Sequence, residues 1–298
     1  MSGTTLRLAV ARTTVPADPG DAPALRAAGA QVRELMREAA GAGARLVQFP
    51  EGALVYPGKR LMSSAGPERL AEADWSRADW GLLRAEAEAV AALAGELRLW
   101  TVLGSVHPLT APARPHNSLY VISDRGELVT RYDKRLLSHA ELSYLYTPGT
   151  APVVFEVDGF RFGAALCIEV NFPELFAEYE RLGVDCVLLS AMAEDVMFGV
   201  LAQAYGTLYN YWLGYSTPAQ YGATAPAGVV APGGRWLARC PAGTSPALAL
   251  ADLDRDSPDQ DIEIALRYAR PWRRTARAGN HPAHLPLGDR RSADRTCF

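Results

Sequence analysis

The chain has 298 residues, of which 49% are hydrophobic, and thirty basic against thirty-three acidic side chains leave a net charge of −3. That apolar content is enough for a large core and excludes a globally disordered chain, and no basic cluster interleaves with aromatics as a nucleic-acid surface requires. Four cysteines, Cys167, Cys186, Cys240 and Cys297, fall in no C-x-x-C spacing, so they read as free thiols in a reducing compartment. No segment approaches eighteen apolar residues and the N-terminal apolar run is short, which predicts a cytoplasmic protein. Of the basic residues only Lys59 and Lys134 are lysine. Each is either a chance surface residue or holds a task that a compact ammonium performs better than a planar guanidinium.

Taken in chain order, the apolar spacing predicts a strand over residues 6–10, a helix over 24–40, a strand over 46–49, a helix over 80–97 and strands over 100–106 and 118–122. Strands at 153–157 and 162–166, a helix at 173–182, a strand at 187–190, a helix at 200–210 and a strand at 247–253 follow. The alternation indicates an α/β fold. Between residues 100 and 132 strand follows strand, with Asp124-Arg125-Gly126 as a hairpin turn, so the sheets should be mixed. The loops at 108–115 and 226–234 are too short to divide the chain, and residues 1–278 read as one domain. After about Asp254 the sequence turns arginine-rich and loses periodicity, and residues 279–298 read as a C-terminal tail, disordered or packed on a partner subunit.

Three stretches could carry chemistry. In Arg161-Phe-Gly-Ala-Ala-Leu-Cys167-Ile-Glu-Val-Asn-Phe-Pro-Glu174 an apolar strand ends on a thiol shortly before a helix, as in a nucleophile elbow. A cysteine at a strand end is equally an ordinary small core residue. A reactive thiol also needs a base, and histidine is poorly supplied. His281 and His284 lie in the tail, His107 and His116 flank the Pro-rich loop, and His139 alone falls in a busy region. A carboxylate lifted by desolvation can act instead. Glu51, directly after the apolar run Leu46-Val-Gln-Phe-Pro50, is the leading candidate, beside its plain reading as an exposed loop acid. The third stretch, from Arg131 to Gly149, carries Lys134 and Glu141. An ammonium there could stabilise a thiolate and a developing oxyanion while a second carboxylate holds it in place.

Phe49-Pro-Glu51, then Tyr132-Asp-Lys134 with Glu141 and Pro148-Gly149 downstream, then Gly163-Ala-Ala-Leu-Cys167-Ile-Glu-Val-Asn-Phe-Pro-Glu174 stand in an order that resembles the nitrilase superfamily of carbon-nitrogen hydrolases. The likeness is closer to the amidase-like branches than to true nitrilases. It spans roughly residues 5–255 and includes Val229-Val-Ala-Pro-Gly-Gly234 before the final strands. The resemblance implies an α-β-β-α sandwich with mixed sheets, paired through helices into an α-β-β-α-α-β-β-α dimer, and no metal or organic cofactor. It also implies Cys167 as nucleophile, Glu51 as base, Lys134 and the backbone N–H of Ile168 as oxyanion partners, and Glu141 as supporting acid. The implied reaction is hydrolysis of a small amide through a cysteine thioester, releasing ammonia or an amine and a carboxylic acid. Its partners are the amide, water and further copies of the chain, without nucleic acid or membrane.

Departures from the family pattern bear on the substrate. Ile168-Glu169 follows the cysteine, where true nitrilases commonly carry Trp-Glu and omega-amidases carry Tyr-Asp with an arginine shortly after. Asn171 stands in that arginine's place and offers no bidentate ionic clamp for a carboxylate. Tyr56, His139, Asn171, Met192 and Glu194 are the candidate substrate-binding residues, with Tyr146 and Trp212 as further candidate walls, and the aromatic and Met positions read equally as core. Glu194 and Asp195 either cap the next helix or favour an amine-bearing substrate. Competing readings are an N-acyltransferase or N-carbamoyl hydrolase of the same family, a non-catalytic oligomeric scaffold, and a Cys-His hydrolase built on His139.

Overall fold

The computed structural model describes residues 4–279 and 288–296. Its first half is β1 (Thr5–Arg12), α1 (Ala22–Gly41), β2 (Leu46–Gln48), α2 (Trp80–Leu97) and β3 (Trp100–His107), followed by the hairpin of β4 (His116–Ile122) and β5 (Leu128–Asp133). Both helices open on an aspartate: Asp21 accepts from the N–H of Ala24 at 3.0 Å and Asp79 from that of Leu82 at 2.9 Å, which satisfies donors that the first turn leaves free. In α1 the buried residues Leu25, Ala28, Val32, Leu35, Met36 and Ala39 recur at three and four, so the helix lays one apolar stripe on the sheet. The β4–β5 turn contains Gly126 at φ 78°, as Asp124-Arg125-Gly126 predicts.

The second half repeats the plan. β6 (Val154–Val157), β7 (Phe160–Leu166), α3 (Pro173–Arg181), β8 (Cys186–Ser190), α4 (Met197–Tyr209) and β9 (Trp212–Ser216) come first, then β10 (Gly228–Val230) and β11 (Trp236–Arg239). β12 (Ala247–Asp254) crosses back to pair antiparallel with β1. The two six-stranded sheets have the orders β12-β1-β2-β3-β4-β5 and β11-β10-β9-β8-β7-β6. In each, three consecutive strands run parallel, β1 to β3 and β7 to β9, with antiparallel neighbours on both sides. The sheets are therefore mixed, as expected.

Side-chain alternation along the strands builds the layers. Leu8 and Val10 of β1 and Phe162, Ala164 and Leu166 of β7 share one cluster between the sheets. Ala9 and Ala11 point the other way, into the cluster with α1 and α2, while Ala165 joins Phe176, Tyr179, Ala202 and Tyr205 under α3 and α4. The architecture is an α-β-β-α sandwich.

Two regions differ from the sequence expectation. β9 escapes notice because only Asn210, left-handed at φ 55°, and Tyr211 separate α4 from it, so apolar helix runs almost directly into apolar strand. The arginine-rich stretch after Asp254 is ordered helix: α5 (Gln260–Ile264), a π-helical turn (Ala265–Ala269) and α6 (Arg270–Ala278) follow without a break. Buried Ile262 and Ala265 anchor it, and arginine is a good helix former. A short turn, α7 (Arg290–Ala293), lies within the expected tail, whereas His281, His284 and Cys297 fall outside the described residues. Among the described residues no helix is long and apolar enough to cross a membrane.

Candidate active site

The C-terminal ends of β2 and β8 are clipped together across the sandwich. Gln48 Nε2 donates to Ser190 Oγ at 3.1 Å, and Ser190 Oγ donates to the Phe49 carbonyl at 2.8 Å. This buried link fixes the segments that follow, which carry Glu51 and Met192. Gly104 on β3 lets the Pro50-Glu51 turn lie against the strand, because a Cβ there would sit 2.1 Å from the Pro50 carbonyl oxygen.

Glu51, Lys134 and Glu141 are buried at 0%, 1% and 1% exposure. Lys134 follows β5, and its Nζ donates to Glu51 Oε1 and Glu141 Oε1, each at 2.9 Å. Asn117 Nδ2 donates to the same Glu51 Oε1 at 2.8 Å, and the Met192 N–H donates to Oε2 at 2.8 Å. Glu141 opens a π-helical turn (Glu141–Leu145), and its Oε2 accepts from the Ser138 N–H at 2.8 Å. The second lysine has a related place, with Lys59 Nζ donating to Ser138 Oγ at 3.5 Å. Burial by itself pulls the Lys134 ammonium down, but Glu51, Cys167 and Glu141 outweigh it and hold the group well above the ordinary lysine value. Burial likewise lifts Glu141, and Lys134 with the Ser138 N–H more than offsets it, so its carboxyl lies below the usual range.

Cys167 ends β7 at φ 47°, a left-handed conformation that few non-glycine residues adopt, and opens a 3-10 turn (Cys167–Asn171) leading to α3. The strained elbow read from the sequence is present. The thiol is partly exposed and donates to the Met192 carbonyl at 3.7 Å. Burial and the Glu51 charge push its pKa up against the opposing pull of Lys134. Met192 thus touches both partners through its backbone, the N–H on Glu51 and the carbonyl on the thiol.

One buried acid joins the Cys167 segment to the Lys134 segment. Glu169 Oε1 accepts from the N–H groups of Arg135 and Leu136 at 2.7 and 3.0 Å, and Oε2 from the Leu166 N–H at 2.7 Å and the Tyr132 hydroxyl at 2.8 Å. Four donors from residues flanking Lys134 and Cys167 therefore converge on one carboxylate. Sequence reasoning noted Glu169 only as a departure from family pattern, and it passed over Asn117, Ser138, Gln48 and Ser190. The available signal was polarity: Gln48, Asn117 and Ser190 are polar residues inside or ending otherwise apolar strands.

The other predicted residues spread more widely. Tyr56 is half-buried and donates to Glu141 Oε1 at 3.4 Å. Tyr146 is buried, and its hydroxyl has no hydrogen-bond partner among the described residues. Asn171, Glu194 and His139 are exposed, and His139 makes no hydrogen bond to Cys167, Glu51 or Lys134. Asp195 caps the approach to α4, accepting from the Met197 N–H at 2.9 Å. Trp212 is core, fully buried between the sheets. Among the described residues no group of three His, Cys, Asp or Glu side chains could hold a metal ion.

An α-β-β-α sandwich with a thiol beside a buried Glu-Lys-Glu cluster defines a class, and comparison with known proteins agrees with it. Residues 22–260 match the carbon-nitrogen hydrolase family, and the chain belongs to that family; it is a carbon-nitrogen hydrolase of the nitrilase superfamily. Hydrolase MT0498 of Mycobacterium tuberculosis is 30% identical over 245 residues, 74% of this chain and 81% of that protein. The deaminated glutathione amidase of Mus musculus is 26% identical over 192 residues, 54% of this chain and 56% of that one. Among solved structures, an amidase from Nesterenkonia sp. superposes with a TM-score of 0.65 at 20% identity, covering 91% of this chain and 96% of its own. A mutant of that amidase, at TM-score 0.66, 19% identity and 91% and 95% coverage, shows covalent addition of the acetamide moiety of fluoroacetamide at its active-site cysteine.

Proposed function

We propose that this hydrolase cleaves a small neutral amide through a thioester on Cys167. The observation that carries the reading is the buried Lys134 ammonium shared by Glu51 and Glu141, with Met192 joining Glu51 to the thiol. Glu51 Oε1 already accepts from two donors and Oε2 from one. A carboxylate oxygen can take two, so Oε2 is the atom with capacity for the thiol proton. Because the thiol's pKa is pushed up, proton transfer to Glu51 accompanies attack and no standing thiolate is needed. As sulfur bonds to the amide carbon, the carbonyl electron pair moves onto oxygen, where Lys134 and the Ile168 N–H stabilise it. Glu51 passes its proton to the nitrogen, the C–N bond breaks and ammonia or an amine departs. Water then adds to the thioester, giving a proton to Glu51, which returns it to the leaving sulfur as the acid is released. Glu141 keeps the ammonium oriented.

The surroundings support a neutral substrate. Asn171 is exposed and uncharged, the phenols of Tyr56 and Tyr146 lie by the cluster, and the nearby cation Lys59 is an ammonium bonded to Ser138, so no guanidinium clamp for a carboxylate is evident among the described residues. The dimer belongs to the same proposal. Val196, Met197, Val200 and Leu208, on and beside α4, are each at least 50% exposed, apolar surface that a second copy would cover. A sedimentation profile of monomer alone would overturn that part.

The reading is tested with short aliphatic amides, following ammonia release and the intact mass of the protein. Wild type should release ammonia, Glu51→Gln should accumulate an acyl adduct, and Cys167→Ala should do neither. A folded protein that gives no ammonia and no adduct across amides, nitriles and N-carbamoyl compounds overturns the proposal and favours the scaffold reading. Transfer of the acyl group to added hydroxylamine in preference to water would make the chain an acyltransferase.

A further inference from the structure

At the end of the second sheet opposite Cys167, the segments that open β7, β8 and β9, the end of β12 and the π-helical turn with α6 line a cleft of about 510 Å³. Its wall holds five arginines, Arg161, Arg255, Arg267, Arg270 and Arg274, against one carboxylate, Asp185. Part of this charge is matched. Arg274 lies 3.7 Å from Glu180, which Arg277 also holds, and Arg267 lies 3.4 and 3.5 Å from Glu263 and Asp256. The rest is not matched. Asp185 alone serves Arg255 at 2.9 Å and Arg270 at 3.3 Å, and Arg161 stands opposite Glu156 in the β6–β7 register without an ion pair to it.

Arg270 shows the imbalance most directly. Its side chain is 8% exposed and its buried Nε has no hydrogen-bond partner among the described residues. Burial, and then the charge of Arg274, work against its ionised form, and its pKa is lowered although Asp185 opposes them. Two of the guanidiniums are nonetheless fixed in place. Arg255 lies 4.0 Å over the Phe160 ring and donates to the Gly159 carbonyl at 2.8 Å, and Arg270 donates to the Val184 carbonyl at 2.5 Å.

We propose that this cleft binds a small phosphate-bearing anion at a site separate from the amide chemistry. Arg161, Arg255 and Arg270 against Asp185 leave two positive charges, which complements a phosphate monoester at about −1.5 to −2. Planar forks arriving from several segments suit a tetrahedral set of oxygens, whereas one fork satisfies a flat carboxylate. β7 runs from the cleft to Cys167, seven residues or on the order of 20 Å, so the anion cannot reach the thiol from there.

Calorimetric titration with inorganic pyrophosphate, at an ionic strength held at about 0.15 M with chloride, tests the proposal. Wild type should bind saturably at one site per chain. The Arg161→Gln/Arg274→Gln double variant should bind about tenfold more weakly or worse, and Arg84→Gln, which changes a 79% exposed arginine on α2, should bind as wild type does. Absence of saturation, undiminished binding by the double variant, or succinate binding as tightly as pyrophosphate would each overturn it. If the double variant melts early, protection of Arg161 and Arg274 from phenylglyoxal by pyrophosphate in wild type decides the same point, and lack of protection counts against the site.

Discussion

At one end of the sandwich a single ammonium, Lys134, lies 2.9 Å from each of two carboxylates; at the other, a single carboxylate, Asp185, answers two guanidiniums while a third has no ion pair among the described residues. The first set is sealed, with all three charged groups at 0 to 2% side-chain exposure. The second borders an open cleft. The difference follows from desolvation: ions can be removed from water only when counter-charges and hydrogen bonds replace it. The matched set is therefore fixed and buried, as the proposed reaction centre requires, and the unmatched set is the one proposed to take a ligand.

The sharpest break in this contrast comes from removing the reactive groups. Cys167→Ala and Glu51→Gln should each lower amide hydrolysis by about 10³-fold or more, since nucleophile and base act as a unit. Initial rates check this, and substantial residual turnover would refute the assigned roles. Lys134→Met tests the matching itself. It leaves Glu51 and Glu141 buried without their cation, which should cost about 3–5 kcal/mol of stability as well as activity, read by urea unfolding. A variant as stable as wild type would show that the cluster is not held by charge.

The same cluster sets the pH window. Glu141 is depressed, so its contribution is present above its unfolded value of about 4.3 and is lost as pH falls through the lower folded value. Lys134 is raised, so its contribution is present below about 10.4 and is lost as pH rises through the higher folded value. The contribution of these two groups should be flat between these limits. With the thiol pushed up by burial, alkylation of Cys167 should show no step near the ordinary cysteine value of about 8.5; a step there would indicate a free thiolate.

Glu169→Gln probes positioning. Its carboxylate accepts four hydrogen bonds, and an amide presents one of its two heads as a donor to groups that also donate. The Cys167 and Lys134 segments should then separate slightly, lowering kcat by up to about 10²-fold with KM little changed. A rise in KM at constant kcat would argue against a role in aligning the reacting groups.

What the sequence made legible follows from how each feature is encoded. Capped amphipathic helices such as α2, and strands bounded by turns such as β4 and β5, carry local signals, and their predicted positions match the structure closely. Glu51, Lys134, Glu141 and Cys167 could be singled out because motif order survives in the chain, although their convergence is a tertiary fact. Met192 acts through its backbone, which no side-chain reading can detect. Gln48 and Ser190 matter because two distant strand ends meet. Cleft and cluster alike depend on long-range proximity: the arginines of residues 255–274 read as an aperiodic basic stretch until α5 and α6 place them against Asp185.

The smallest predicted effect is the most pointed, because its sign should reverse between the two ends. Removing the cation Lys134 destabilises, whereas Arg274→Gln should leave stability unchanged or raise it by about 0.5 kcal/mol at low salt. Arg274 is half exposed and its contact with Glu180 at 3.7 Å is long; the buried Glu180 carboxylate keeps Arg277 as its cation, so little is lost. What is gained is relief of repulsion on Arg270, whose charged form Arg274 disfavours. The gain should fade as salt screens the pair over about 10 Å at 0.1 M, and pyrophosphate should reverse it by stabilising wild type more than the variant. Melting temperatures across salt and pyrophosphate series measure all three. A loss of stability at low salt would mean that the arginines of the cleft already have sufficient counter-charge, and the contrast between the two ends would fail.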